Sequence, residues 1–267
     1  MSKFLFLAIP ILLLSLAFHV DAKEISSGFL LPENAQKISS DIYYLGKAFD
    51  ASSGKFVEGI AIVRRKDSEA KPPWAGGGNS GSGSSCYSFL SKGAKWKNME
   101  SWVVNSQDSG LDSSFVLANI ESNIAKWESA SSSQILGTGE LTNAVLAANT
   151  QSTDGANEVY FDTISDSNTI AVTIIWGIFS GPPQGRELVE WDQVYNTDYA
   201  WREDATGSTT HMDFENISTH ELGHSVGLGD LYTNTCVNET MYGYSTEGEV
   251  SKRDLGTGDI AGINELY

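Results

Sequence analysis

The segment His220-Glu221-Leu222-Gly223-His224 sets two imidazoles four residues apart, with a carboxylate beside the first. On a helix, positions 220 and 224 lie one turn apart on one face, so both rings converge on a single ion at the Zn–N distance of about 2.0 to 2.1 Å. Glu221 sits about 100° round the helix from His220. That offset keeps it off the ion but within reach of a water there, which is where a general base belongs. The chain continues Ser225-Val226-Gly227-Leu228-Gly229-Asp230, extending the pattern to H-E-x-x-H-x-x-G-x-x-D. A left-handed glycine at 227 ends the helix and turns the chain back, so Asp230 is expected as third ligand. Three protein ligands leave one coordination position open, as a catalytic zinc site requires. Of the 4 histidines, His19 lies in an apolar leader and His211 precedes the helix, so neither is expected to bind the ion. The competing reading is Glu221 as a solvated helix charge within a chance match. Glycine and aspartate at fixed offsets weigh against it.

These groups need rigid elements to hold them. Asp213 or Asn216 can cap the start of the zinc-site helix. From Ser113 to Ala130, Val116, Ile120, Ile124 and Trp127 recur at helical spacing on one face, with Asp112 or Ser113 as cap. Thr169 to Trp176 is β-branched and apolar, predicting a central strand buried on both faces that Pro182-Pro183 ends. Helices between strands imply an α/β or α+β layer with a mixed sheet. Upstream, Ile42 to Leu45 and Phe56 to Val63 flank the turn-like Ala51 to Gly54. Two strands cannot stand alone, so this unit, 23–70, either packs on the main domain or serves as a pro-segment. A Pro/Gly/Ser tract, 71–85, reads as a flexible linker and places a boundary before a catalytic domain over 86–267. Near the C-terminus Ile260, Ile263 and Leu266 are expected on one buried helix face.

The extended motif, followed by Thr240-Met241-Tyr242-Gly243-Tyr244, resembles the metzincin clan of zinc proteases and its Met-turn. The matrixin branch is similar in Lys95-Trp96, in Glu190 to Thr197 and in Leu255 to Tyr267, so the resemblance covers about 95–267. It implies a twisted mixed sheet over two long helices, an extended zinc cleft and a C-terminal helix. It also implies that Met241 forms an apolar floor beneath the zinc ligands and that Asp259 fixes the Met-turn. Asp230 departs from the third histidine of most of the clan and is similar to the snapalysin-like members. An anionic ligand leaves the site about +1 rather than +2, which makes water there harder to deprotonate. Gly243 stands where astacin-like members carry a tyrosine, so no metal-bound tyrosine is carried over. Calcium rests on the resemblance alone: Asp162, Asp166, Asp198 and Asp204 show no EF-hand spacing and read as solvated acidic loops.

Composition narrows the partners. With 34 Asp+Glu against 17 Lys+Arg in 267 residues, the formal charge of -17 repels phosphate backbones and anionic lipid, excluding nucleic acid and a polybasic anchor. Lys3 and the apolar run Phe4 to Phe18, with Val20 and Ala22, read as a signal peptide, 1–22, and hence a secreted chain with no membrane association after cleavage. An uncleaved anchor is the alternative. Cys86 and Cys236, the only cysteines, are expected to form one disulfide in an oxidising compartment. The sharper alternative is a latency switch at Cys86 like that of matrixin zymogens, but Ser84-Ser85-Cys86-Tyr87-Ser88 lacks its motif. Asn216 and Asn238 head glycosylation sequons. The function expected is a secreted, monomeric zinc endopeptidase acting on extended polypeptides. The alternative is a zinc-containing binding or adhesion module without catalysis.

Overall fold

The computed structural model describes residues 28–66 and 86–267, so the expected leader (1–22) and the Pro/Gly/Ser tract (71–85) lie outside the described residues. The strands are β1 (Gln36–Lys37), β2 (Ile42–Asp50), β3 (Lys55–Lys66), β4 (Trp102–Asn105), β5 (Gly139–Leu141), β6 (Glu158–Asp162), β7 (Thr169–Ile178), β8 (Glu187–Asn196), β9 (Ala200–Arg202), β10 (His211–Asp213) and β11 (Tyr244–Ser245). The helices are α1 (Ser113–Ser131), α2 (Phe214–Ser225) and α3 (Thr257–Leu266).

Among the described residues, nine strands form one mixed sheet in the order β1-β2-β3-β7-β8-β6-β4-β5, with β11 beside β3; β9 and β10 pair separately. The expected α/β sheet layered on helices, with a third helix at the C-terminus, is the observed fold. Period-two alternation sorts the two faces. On β3, Ile60 and Ile62 join the core shared with the helices, while Ala61 and Val63 join a second core on the other face with Phe29, Val172, Ile174 and Trp176. β7 is therefore buried on both sides, as its apolar run predicts.

The strands that precede residue 67 are part of this sheet. β2 and β3 form a hairpin whose turn is held by Asp50, which accepts hydrogen bonds from Ser52 and Ser53. β3 runs antiparallel to β7 from Glu58↔Gly177 to Arg65↔Thr169, with a register shift between Arg64 and Arg65. Its far end runs parallel to β11, pairing Arg65 with Tyr244 and Lys66 with Ser245.

α1 is capped by Asp112, whose carboxylate accepts from Ser114 N and Phe115 N at 2.9 and 3.1 Å. Its Val116, Ile120, Ile124 and Trp127 are buried as the spacing predicts. α1 and α2 pack together, and the contact is tied by Asn123 donating to Ser218 (2.7 Å) and Trp127 Nε1 donating to the Thr219 carbonyl (3.0 Å). One expectation about α3 fails. Ile263 and Leu266 are buried, but Ile260 is 40% exposed. A three-residue step falls about 60° short of a full turn, so two steps carry Ile260 about 120° away from Leu266 and off the buried face. Gly258, Asp259 and Gly262 face inward in its place.

Candidate metal centre

Asp213 begins α2, its carboxylate accepting from Asn216 N at 2.9 Å, and Glu215 in the first turn suits the helix dipole. Asn216 is itself buried, its side-chain oxygen accepting from Lys252 N at 2.7 Å and its amide nitrogen enclosed without a partner among the described residues, so this sequon offers no accessible amide in the folded chain. Asn238 is exposed. The helix ends at Ser225, and Gly227 at φ +105° turns the chain; a side chain there would strike the Ala94 carbonyl and Leu266. Trp96 Nε1 and Tyr267 Oη close the helix end by donating to the carbonyls of Ser225 and Val226, at 2.7 and 3.1 Å. The turn carries Asp230 back to the helix face.

Histidines 220 and 224 and Asp230 come together, with one candidate ligand atom from each lying within 4.8 Å of the others. His220 and His224 Nδ1 lie 2.7 and 2.9 Å from the carbonyls of Thr240 and Leu228, so each Nδ1 carries the proton and each Nε2 presents a lone pair. Those Nε2 atoms stand 3.1 and 3.5 Å from Asp230 Oδ1, a buried oxygen with no hydrogen-bond partner among the described residues. Acceptors directed at one another in a buried pocket call for a cation; the Arg64 guanidinium reaches His220 Nε2 at 2.8 Å, and the set of two imidazoles and a carboxylate is one that fits zinc. Burial, and next the Arg64 guanidinium, lower His220 to about 3, which keeps it a neutral ligand. Burial pushes the Asp230 carboxyl up, but His224, His220 and Arg64 outweigh it and hold the group below its ordinary range. The other Asp230 oxygen lies 3.0 Å from the Tyr232 hydroxyl, which is also 2.6 Å from Asp41. His211 is elsewhere, beside Ser208 and Thr210 at the start of β10.

Glu221 is fully buried. Its Oε2 accepts from the Thr173 hydroxyl of β7 at 2.6 Å, while Oε1 has no partner among the described residues. Burial raises its carboxyl above the ordinary value. Beneath the helix, Met241 is buried and packs against Gly223 and Trp127, where a Cβ on Gly223 would find no room. Asp259 holds the turn that carries Met241: its oxygens accept from Thr240 N (2.6 Å), Met241 N (3.1 Å) and Gly256 N (2.8 Å). Cys86 and Cys236 form a disulfide, tying the start of the second described segment to the loop between Asp230 and Met241. Asp162, Asp166, Asp198 and Asp204 form no comparable cluster: Asp166 pairs with Arg65 and Asp204 with Arg253.

Four contributors escape the motif reading: Thr173, Tyr232, Asp41 and Arg64. Arg64 is the furthest from expectation. It lies on β3, two residues on from Ile62 and therefore on the helix-facing side. It is 2% exposed, with Nη1 at 2.8 and 2.9 Å from the two ring nitrogens of His220. In the sequence Val63-Arg64-Arg65-Lys66 looks like a charged strand end entering solvent, and nothing there distinguishes Arg64 from its neighbours.

Two histidines on a helix, a carboxylate between them and a returning aspartate, set under a mixed sheet, make a candidate metal centre of the kind that the sequence resemblance implies. The sequence model of the matrixin family matches residues 95–267, and the chain belongs to that family. It is similar to mouse stromelysin-1, 32% identical over 80 residues that make up 30% of this chain and 15% of that protein. It is also similar to human matrilysin, 34% identical over 76 residues, 28% of this chain and 26% of that protein. The matches thus span about a quarter or less of those relatives. Metalloproteinase-II from Bacteroides fragilis aligns over 86% of this chain and 77% of its own, with a TM-score of 0.35 and 11% identity, a likeness too distant to bear on the site.

Proposed function

We propose that the protein is an exported zinc endopeptidase in which His220, His224 and Asp230 hold the metal and Glu221 is the catalytic base. The observation that carries this is the buried oxygen pair without partners, Glu221 Oε1 and Asp230 Oδ1, beside two histidines whose Nδ1 atoms are already committed. A zinc ion held there would supply Lewis acidity toward water and the scissile carbonyl. Glu221 accepts the proton of the attacking water and hands it to the leaving amine, and its raised proton affinity suits both halves of that transfer. Thr173 fixes one carboxylate oxygen and so aims the other. Met241 and Asp259 keep the floor of the site rigid. The disulfide and the apolar, signal-like start of the sequence support an oxidising compartment outside the cell. The substrate class is polypeptide in extended form.

Glu221→Gln tests this directly. The variant is expected to retain zinc after dialysis and to lose chelator-sensitive hydrolysis of unfolded protein by about two to four orders of magnitude. Turnover within a few-fold of wild type would remove Glu221 from the role.

A further inference from the structure

In this structure the candidate catalytic groups cannot meet a polypeptide. His220 and Glu221 are 0% exposed and His224 is 1% exposed. β3 lies across their approach: it covers β7, which carries the Thr173 partner of Glu221, and it reaches His220 through Arg64. The family match begins at residue 95 and so leaves β3 out. Within the matched residues β7 is the outermost strand of the sheet, in the order β7-β8-β6-β4-β5. A bare edge strand beside a hydrolytic centre is a template for an extended polypeptide, which adds to it by main-chain hydrogen bonds and is selected by side-chain pockets. β3 is such a polypeptide, supplied by the chain itself.

Its pocket is specific. The Arg64 guanidinium donates through Nη1 to the Tyr242 carbonyl at 2.6 Å, and through Nη2 to the Tyr244 carbonyl at 3.2 Å and the Ser245 hydroxyl at 2.7 Å. Glu249 is paired with Lys252; burial pushes its carboxyl up, but Lys252 first and the Arg64 charge after it hold the group below its ordinary range. Arg64 Nε has no partner among the described residues, so the head of the side chain, and not its neck, is what the pocket grips. Carbonyl oxygens arranged around a planar cation match a guanidinium far better than an apolar side chain, which would leave buried acceptors unpaired.

We infer that β3 occupies the substrate groove of this enzyme, and that the pocket formed by Tyr242, Tyr244 and Ser245 selects an arginine side chain on the polypeptide to be cleaved. This rests on the zinc endopeptidase reading above. It follows that β3 must leave before a substrate enters, and that a substrate arginine then takes the place of Arg64 near the cut.

The test uses the zinc-loaded full chain as wild type, Arg64→Ala and Ser245→Ala. Each is incubated with a library of unfolded-protein peptides, with and without chelator, and the fragments are sequenced. Arg64→Ala should cleave about tenfold or more faster than wild type, because β3 has lost its anchor, and arginine should be enriched several-fold within two residues of the cut. Ser245→Ala, which removes one acceptor, should also be faster but with weaker arginine enrichment. A second readout needs no turnover and stands even where Arg64→Ala does not fold. Hydrogen exchange at Ile60 to Val63 should rise several-fold in Ser245→Ala, with β8 unchanged. Chelator-sensitive cleavage without arginine enrichment, or unaltered exchange in Ser245→Ala, overturns the pocket assignment and leaves the endopeptidase standing. Absence of chelator-sensitive cleavage in every variant overturns the endopeptidase reading itself, and this assignment with it.

Discussion

Each residue of the candidate centre is placed by a second group. His220 and His224 are turned by carbonyls, Asp230 by Tyr232, and Glu221 by Thr173. Metal affinity then depends on the number of preset donors, since two imidazoles alone do not hold zinc against dilution. Asp230→Ala is therefore expected to lose most of its zinc on dialysis while His211→Ala keeps it, read by metal analysis of both dialysed proteins. The reverse result would transfer the third-ligand role to His211, which the structure sets apart from the other two. The donor types and their spacing are legible in the sequence because H-E-x-x-H depends only on helix geometry. Tyr232, Asp41 and Arg64 are not legible, since their roles come from segments, distant in sequence, that meet only once the chain has folded.

Among the elements, the Met-turn and α3 act as one unit through Asp259. Three backbone N–H groups from two segments converge on this carboxylate, and burial nevertheless raises it to about 6, with those N–H groups pulling the other way. Asp259→Ala strands donors in a buried position, at about 1 to 3 kcal/mol for an unsatisfied group. The variant is expected to be less stable by at least about 2 kcal/mol in urea titration, whereas Asp259→Asn, which keeps one acceptor oxygen, should lose less. Equal losses in the two would mean that the charge, and not the convergence of donors, holds the turn. Helix α1 was readable from its spacing to within a residue, because one apolar face at positions 116, 120, 124 and 127 has a single packing solution. α3 was readable as a helix but not by face, since inward-facing Gly258 and Gly262 give no hydrophobic signal.

Across the whole molecule, charge is distributed unevenly between surface and interior. A buried carboxylate group spans β6 and β8: Glu190 accepts from Asp154 N and Gly155 N at 2.9 and 2.6 Å, and Asp192 accepts from Asn149 N and Glu158 N at 2.8 and 3.1 Å. It pins the loop after β5 onto the sheet. Burial raises Glu190 to about 7 from an ordinary 4.5, and it raises Asp192 and Glu158 as well. Between those two Glu190 values the folded chain binds more protons than the unfolded one, so stability falls as pH rises through the window, and the loss is complete above it. Thermal melts from about pH 5 to about pH 8 should show a steeper decline in wild type than in Glu190→Gln, which cannot ionise. Parallel declines would place the dependence on Asp192 or Glu158.

Legible in the chain before folding are the family resemblance, the H-E-x-x-H motif, the long helix, the buried central strand and the cysteine pair. Each of these is written in local spacing or residue type. Folding in three dimensions is what joins the strands before residue 67 to the sheet that carries the candidate site, lays β3 against the candidate metal centre and sets Arg64 beside His220. Strand pairing between Arg64 and β7 joins residues more than a hundred positions apart, and a strand with an apolar run and a basic end is compatible with many partners. Which edge it covers is settled by burial of both faces at once, a property of the assembled sheet and not of any segment in it.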